Sequence, residues 1–559
     1  MPGRDEWWRN AACYEVYLRS FADSDGDGLG DLPGLRSRLP YLHDLGIDAI
    51  WITPFYPSPQ VDHGYDVADY RDVDRRFGTL ADFDGLLEEA HELGLRVIID
   101  LVPNHTSAQH AHFRAALATG SGSAERQRYH FRPGAGRAGI RPPNNWRSAF
   151  GGPAWTRVTG AEGQPAEWYL HLHHPGQPDL NWANPAVGAE FESILRFWLD
   201  RGVDGLRIDV AMSLAKDPGF PDLRRGDDQH PYHNRPEVHS IYRRWRTVLD
   251  SYPGDRMMIA EAVAPEASEL ARYVSAGECH QVFNFAWLET RWSAAEFGRV
   301  IKDTLDSVRA VDASPTWVLA SHDAVRTVSR YSAPSRAGEA VGLERARAAL
   351  LVMLSLPGSA YVFQGEELGL PQVDVPPAAR RDPRWFQSGG SMPGRDGSRV
   401  PIPWTTGAPS YGFSPAGSSP PWLPQPASWG ELSVATQERN PASTLAFYRK
   451  ALQLRRTRLA GLDDGVVILP SAPGTLVLAR DTGFVCALNC GSRPARPPAG
   501  ELILSSTDWP DSLLPPNSAA WFQLSAPPRP NRGRPAEGHV EPKGGSKAGA
   551  HPESQTGRC

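Results

Sequence analysis

GLRIDVA, residues 205–211, decides the fold. Its Gly, Leu, Ile and Val suit a strand buried on both faces, yet Arg207 and Asp209 stand near its carboxyl end, where unpaired charges could not be hidden. The two lie two positions apart and point to the same side of an extended chain. A structural ion pair is the plain alternative, and on this stretch alone the better one. Repetition weighs against it, because other strand-like runs in the chain also end in a carboxylate or a histidine.

The strand-like runs are CYEVYLRSF (13–21), IDAIWIT (47–53), LRVIIDLVPNH (95–105), RMMIAEAV (256–263), QVFNFAW (281–287), TWVLASHD (316–323) and AYVFQGEELG (360–369). Helices are expected near 35–45, 79–94, 184–202, 236–251, 293–310 and 343–356. Thr79 with Asp82 marks one start, and Asn184 before Pro185 marks another. With 205–210 this gives eight strands, each followed by a helix or a long insertion. That is the pattern of a closed (β/α)8 TIM barrel, an α/β fold whose reactive groups stand at the carboxyl ends of its strands.

Two regions break the alternation. Residues 104–179 are rich in Gly, Pro, His and Trp and read as a compact domain inserted after the third strand, since its aromatics must pack somewhere. Beyond a last barrel helix near 443–456, VVILP, TLVLARD, FVCALNC, ELILSS and SAAWFQL read as a small antiparallel β domain. The expected division is barrel 1–103, inserted domain 104–179, barrel 180–457, β domain 458–525, and a disordered tail 526–559 of Pro, Gly and charge.

Composition removes several function classes. A formal net charge of -6 over 559 residues lacks the basic surplus with which a nucleic-acid binder displaces counterions. No apolar run reaches the roughly 18 residues of a membrane span. The start, MPGRDEWWRN, has no apolar core of a secretory signal. Five scattered cysteines, an odd number, do not make a disulfide framework, so a cytoplasmic setting is expected, with no organic cofactor. The 18 Trp and 16 Tyr supply flat rings that serve cores and carbohydrate faces alike.

Directly after the first strand, DSDGDGLGD alternates Asp23, Asp25, Asp27 and Asp31 with glycines. Their oxygens and the Leu29 carbonyl can converge on a hard cation. It is not an EF-hand, which would need Glu at the place of Gly34. A solvated acidic turn is the alternative. His171, His173 and His174 lack accompanying ligands at metal spacing and are not read as a metal site.

At the strand ends stand Asp100 and His105, Arg207 and Asp209, Glu261, and His322 with Asp323. Glycoside hydrolysis with retention needs a carboxylate nucleophile and a carboxylic acid about 5 to 5.5 Å apart, which adjacent barrel strands can present. On this reading Arg207 holds Asp209 ionised, and a less compensated Glu261 keeps its proton.

DLVPNH, GLRIDVA, EAV and SHD, in this order, resemble the four signature regions of the alpha-amylase family (glycoside hydrolase family 13). DSDGDGLGDLPG and GRDGSRVPIPW are similar to its alpha-glucosidase and oligo-1,6-glucosidase branch, and the likeness runs from about residue 14 to 525. The resemblance implies Asp209 as nucleophile, Glu261 as general acid/base and Asp323 as the third carboxylate. It implies Asp62, Tyr65, His105, Arg207, His322 and Arg399 as sugar-binding residues, and a structural calcium at Asp23, Asp25, Asp27, Leu29 and Asp31. The implied activity is retaining, exo-acting alpha-glucosidase on maltose and short malto- or isomalto-oligosaccharides. A transglucosylase or a sucrose- or trehalose-active enzyme is the alternative. A non-catalytic relative is disfavoured because all three acids are present.

Overall fold

The computed structural model describes residues 6–158, 167–224, 226, 230–332, 338–480, 483–508 and 512–524. The tail expected at 526–559 lies outside them.

Eight parallel strands form the centre: Ala12–Val16 (β1), Ala49–Ile52 (β2), Arg96–Leu101 (β3), Gly205–Ile208 (β4), Met257–Ala260 (β5), Gln281–Val282 (β6), Thr316–Val318 (β7) and Ser359–Phe363 (β8). They pair in the order β7-β8-β1-β2-β3-β4-β5-β6. Among the described residues no ladder joins β6 to β7. Side chains cross the sheet beside that seam instead: Gln281 Nε2 donates to Ser359 Oγ at 2.8 Å, and Tyr361 Oη donates to Gln281 Oε1 at 2.9 Å.

Period-two alternation builds two cores. Cys13, Ala49, Trp51, Ile98, Met257, Ile259, Val318 and Tyr361 fill the barrel interior, while Tyr14, Ile50, Ile52, Ile99, Leu206 and Ile208 face the helices. Gly205 opens β4 because a Cβ there would lie 2.8 Å from Met257 Sδ and 3.1 Å from Ile98 Cγ1.

Every expected strand is present but shorter than its apolar run. The 281–287 run keeps two residues as strand and then turns into a helix, Phe285–Leu288, whose first turn Asn284 caps. The helix expected at 35–45 is two, Leu32–Arg36 and Leu39–Leu45, because Pro33 and Pro40 each occupy a first turn. Thr79 and Asp82 form a full capping box, and Asn184 caps Pro185–Asp200.

The insertion carries a three-stranded antiparallel sheet with Glu167–Leu170 between Phe131–Pro133 and Trp155–Arg157. Its two ends meet. His105 bridges Asp179, and Lys216 Nζ reaches Asp179 Oδ2 at 2.8 Å and Asn104 Oδ1 at 2.7 Å with no exposure of either charged side chain.

The second sheet runs Val467–Leu469, Thr475–Ala479, Phe484–Asn489, Ser518–Gln523, Glu501–Ser505, all antiparallel. It packs on the helix Gly338–Ser355, whose second half is buried on all sides and whose Leu351 carbonyl accepts from Trp521 Nε1 at 3.0 Å. Among the described residues no helix is long and apolar enough to cross a membrane.

Candidate active site

Leu206 and Ile208 turn outward from β4, which sends Arg207 to the barrel axis. Its guanidinium lies 4.9 Å from the Trp51 ring centroid and serves three acids. Nη1 donates to Asp100 Oδ1 at 2.7 Å and to Asp209 Oδ1 at 2.8 Å, and Nη2 reaches Glu261 Oε2 at 2.9 Å. Asp100 Oδ2 also accepts from Trp51 Nε1 and Tyr65 Oη, both at 3.1 Å.

One positive charge serves the buried Asp100 and Asp209 and the partly exposed Glu261, too little to offset all three. Burial pushes Asp100 up to about 6 and Asp209 well above the usual carboxylate range, Arg207 opposing and Glu261 adding to both. The group therefore tends to keep a proton among its members. Arg207 stays charged, because its acidic neighbours outweigh the burial that disfavours it.

The expectation that Glu261 is the less compensated acid needs correction. Its Oε2 is held by Arg207 and also accepts from the Val210 backbone N–H at 2.9 Å. What separates the two acids is access, the Glu261 side chain being 19% exposed and that of Asp209 8%. Val210 aims its N–H by adopting φ +47°, an unfavourable left-handed conformation for a β-branched residue, where the chain leaves β4.

The opposite corner reverses the ratio. Asp323 Oδ1 is met by Arg399 Nη2 at 2.6 Å, Arg395 Nη1 at 3.2 Å and His322 Nε2 at 3.3 Å. Burial alone would raise Asp323, but His322, Arg395 and Arg399 outweigh it and hold the carboxyl well below its usual range. His322 is stacked between Tyr17 and Tyr65, at 5.4 and 5.5 Å, and bonds Glu15 Oε1 through Nδ1. Burial pushes His322 well down and Glu15 well up. Arg395 Nη2 holds Asp62 Oδ1 at 2.8 Å, and Gln177 Nε2 links Asp62 Oδ2 at 3.1 Å to His105 Nε2 at 3.0 Å.

These corners belong to one cavity of about 280 Å³. Of the residues expected from sequence, Asp62, Tyr65, His105, Asp209, Glu261 and Asp323 line it. Arg207, His322 and Arg399 are not among its lining residues and stand behind it, each bonded to a lining acid. Arg395 and Phe150, which line it, and Gln177 and Glu15, which support it, were not singled out. Arg395 sits in GRDGSRVPIPW only four positions before Arg399, so its signal was in plain view. His173 also lines the cavity, and His171 bonds Thr156 Oγ1 at 2.9 Å.

The acidic loop follows β1. Single carboxylate oxygens of Asp23, Asp25 and Asp27 lie within 4.8 Å of one another, a donor set that suits a hard cation. Burial, with Asp25 and Asp23 beside it, pushes Asp27 up, the repulsion a cation would relieve. Asp31 is outside that group. Its two oxygens accept from Gly34 N at 2.6 Å and Ser24 N at 2.8 Å, capping the next helix.

The model of the alpha-amylase catalytic domain matches residues 15–465. A probable alpha-glucosidase of Rhizobium meliloti (strain 1021) is 38% identical over 85% of this chain and 87% of its own length. An oligo-1,6-glucosidase of Parageobacillus thermoglucosidasius is 34% identical over 80% and 84%. Among solved structures, the alpha-glucosyl transfer enzyme XgtA superposes with a TM-score of 0.80 at 36% identity, covering 92% of this chain and 99% of that one. The matched domain, the barrel with its inserted and C-terminal β domains, and the acids at the ends of β4, β5 and β7 agree: this chain belongs to the alpha-amylase family and is a glycoside hydrolase.

Proposed function

We propose that the chain is a retaining, exo-acting alpha-glucosidase acting on maltose and short malto- or isomalto-oligosaccharides. The observation that carries this is the sharing of Arg207 by Asp100, Asp209 and Glu261 on the floor of a single cavity. Arg207 holds both acids, and access separates their roles: the more exposed Glu261 faces the leaving group and the more buried Asp209 the sugar.

Asp209 attacks the anomeric carbon while Glu261 gives its proton to the glycosidic oxygen, and the leaving group departs as an alcohol. Glu261 then takes a proton from the water that cleaves the glucosyl ester of Asp209, which restores both groups. Asp323, kept ionised, accepts sugar hydroxyls and offsets the oxocarbenium-like charge. The buried Asp62–Arg395 pair supports a closed inner end, and hence removal of one terminal glucose at a time.

Product stereochemistry tests the reading. Proton NMR of the first turnovers is expected to show alpha-glucose, and beta-glucose appearing first would overturn it. Asp209→Asn and Glu261→Gln are expected to abolish turnover of an aryl alpha-glucoside. A panel of maltose, isomaltose, sucrose, trehalose and an aryl alpha-glucoside fixes the linkage preference.

The likeness to a glucosyl transfer enzyme at 36% identity favours a second reading, in which a sugar hydroxyl outcompetes water at the ester. Oligosaccharide products at high maltose concentration distinguish it.

We place a structural calcium on Asp23, Asp25 and Asp27, with the Leu29 carbonyl and Asp31 as further candidate ligands. Chelation is expected to lower the melting temperature more than the rate per folded molecule. The unbridged Cys13, Cys279, Cys486 and Cys490 support a cytoplasmic setting.

A further inference from the structure

Each carboxylate that lines the cavity has a guanidinium within ion-pair distance: Asp209 and Glu261 have Arg207, Asp62 has Arg395, and Asp323 has Arg395 and Arg399. The converse does not hold. Arg147, from the inserted domain, and Arg384, from the short helix Pro383–Gln387 after β8, line the same cavity, and among the described residues neither has an acid within ion-pair distance.

Arg384 is half-buried, its guanidinium 5.6 Å from the Phe150 ring centroid and its Nε buried with no acceptor. Burial and the neighbouring Arg395 pull it below its usual value, which Asp323 and Asp382 only partly oppose. Arg147 is exposed, whereas Asp62 and Arg395 are buried, so Arg147 marks the solvent end of the cavity. The two segments touch: a Cβ on Gly151 would lie 3.5 Å from Ser388 Cα. In an exo-acting enzyme the terminal glucose takes the inner end, and what reaches the mouth is the leaving group.

We propose that Arg147 and Arg384 form a receptor for an anionic group, a phosphate or a carboxylate, on the leaving group of the substrate. A guanidinium presents parallel N–H donors that match the oxygens of either anion, and such charge-assisted bonds are stronger than bonds to sugar hydroxyls. The chain thereby prefers an alpha-glucoside with a charged aglycone, and the reactions that supply it are those that phosphorylate or oxidise a sugar or phenol before or after glucosylation. The inference rests on the alpha-glucosidase reading above.

The test compares para-carboxyphenyl alpha-glucoside with its para-carboxamide, and in a second arm a disaccharide phosphorylated on its leaving-group sugar with the unphosphorylated parent. In wild type, kcat/KM for the anion is expected to exceed that for the neutral partner about tenfold, mainly through KM. The ratio is expected to shrink as salt rises from about 0.02 M to about 0.5 M. In the Arg147→Gln/Arg384→Gln double variant it is expected to fall by a similar factor. Dividing wild-type ratio by variant ratio cancels the intrinsic difference between leaving groups. Preference in only one arm identifies the anion. A wild-type ratio near one in both arms, or a ratio the double variant preserves, overturns the inference and leaves the glucosidase reading standing. Failure to hydrolyse even the carboxamide sinks the glucosidase reading itself.

Discussion

Around Arg207 one guanidinium serves three carboxylates, two of them buried, whereas around Asp323 two guanidiniums and an imidazole serve one. Both corners line or support the same cavity. The count of cations decides what each corner does with protons. Three acids on one cation raise Asp100 and Asp209, which on the proposed mechanism leaves a proton for the leaving group. One acid among three cationic or donor groups stays ionised whatever its neighbours do. Sequence spacing shows only that acids sit at strand ends; the cation count is what turns similar residues to different work.

The largest effect should come from the nucleophile. Asp209→Asn is expected to reduce kcat for an aryl alpha-glucoside by about 10⁴-fold or more with the melting temperature held or raised, because it also relieves the crowding of acids. Turnover above a percent of wild type would remove Asp209 from its role. Asp323→Asn is expected to cost about 10²- to 10³-fold and to leave the acidic limb of the pH profile in place, since Asp323 is ionised throughout. A moved limb would break the contrast.

Asp100→Asn sharpens the comparison. With one acid fewer on Arg207, the acidic limb of kcat/KM is expected to move down by about one pH unit. Stability gives the same corner a sign. Asp100 is raised to about 6, so its contribution is fully present below its unfolded value of about 4 and is lost as pH climbs through about 6. Asp323 is depressed and acts oppositely, stabilising above about 4 and losing that as pH falls. Wild type should therefore lose melting temperature relative to Asp100→Asn between those values. The smallest effect is expected at Val210→Gly. Relief of the left-handed strain should gain about 1 kcal/mol in stability, while a looser N–H on Glu261 lowers kcat/KM a few-fold.

How much of this was legible follows from where each residue sits. Asp100, Asp209, Glu261 and Asp323 are readable because a charge at the end of an apolar run contradicts its surroundings and so announces a site. The strand ends were overread for the same reason. Runs such as 281–287 stay apolar after the ladder has stopped, since the chain turns into a short helix and Phe283 and Trp287 are buried without being strand. Arg395, Phe150 and Gln177 come from loops with no periodicity to give direction, and only the closing of the inserted domain over the barrel brings Gln177 onto Asp62. Glu15 was hidden by success: inside a strand of buried residues, nothing local says that its partner is His322, which follows β7 two strands away.

Lys216 ties both ends of the inserted domain, Asn104 and Asp179, to a single ammonium. A segment whose entry and exit share one anchor behaves as a cassette. Changes of length between those anchors are expected to leave the staves beneath in place, provided Asn104, Asp179 and the Gln177 that reaches Asp62 are kept. The mouth of the catalytic chamber is thus open to recombination while its floor is not.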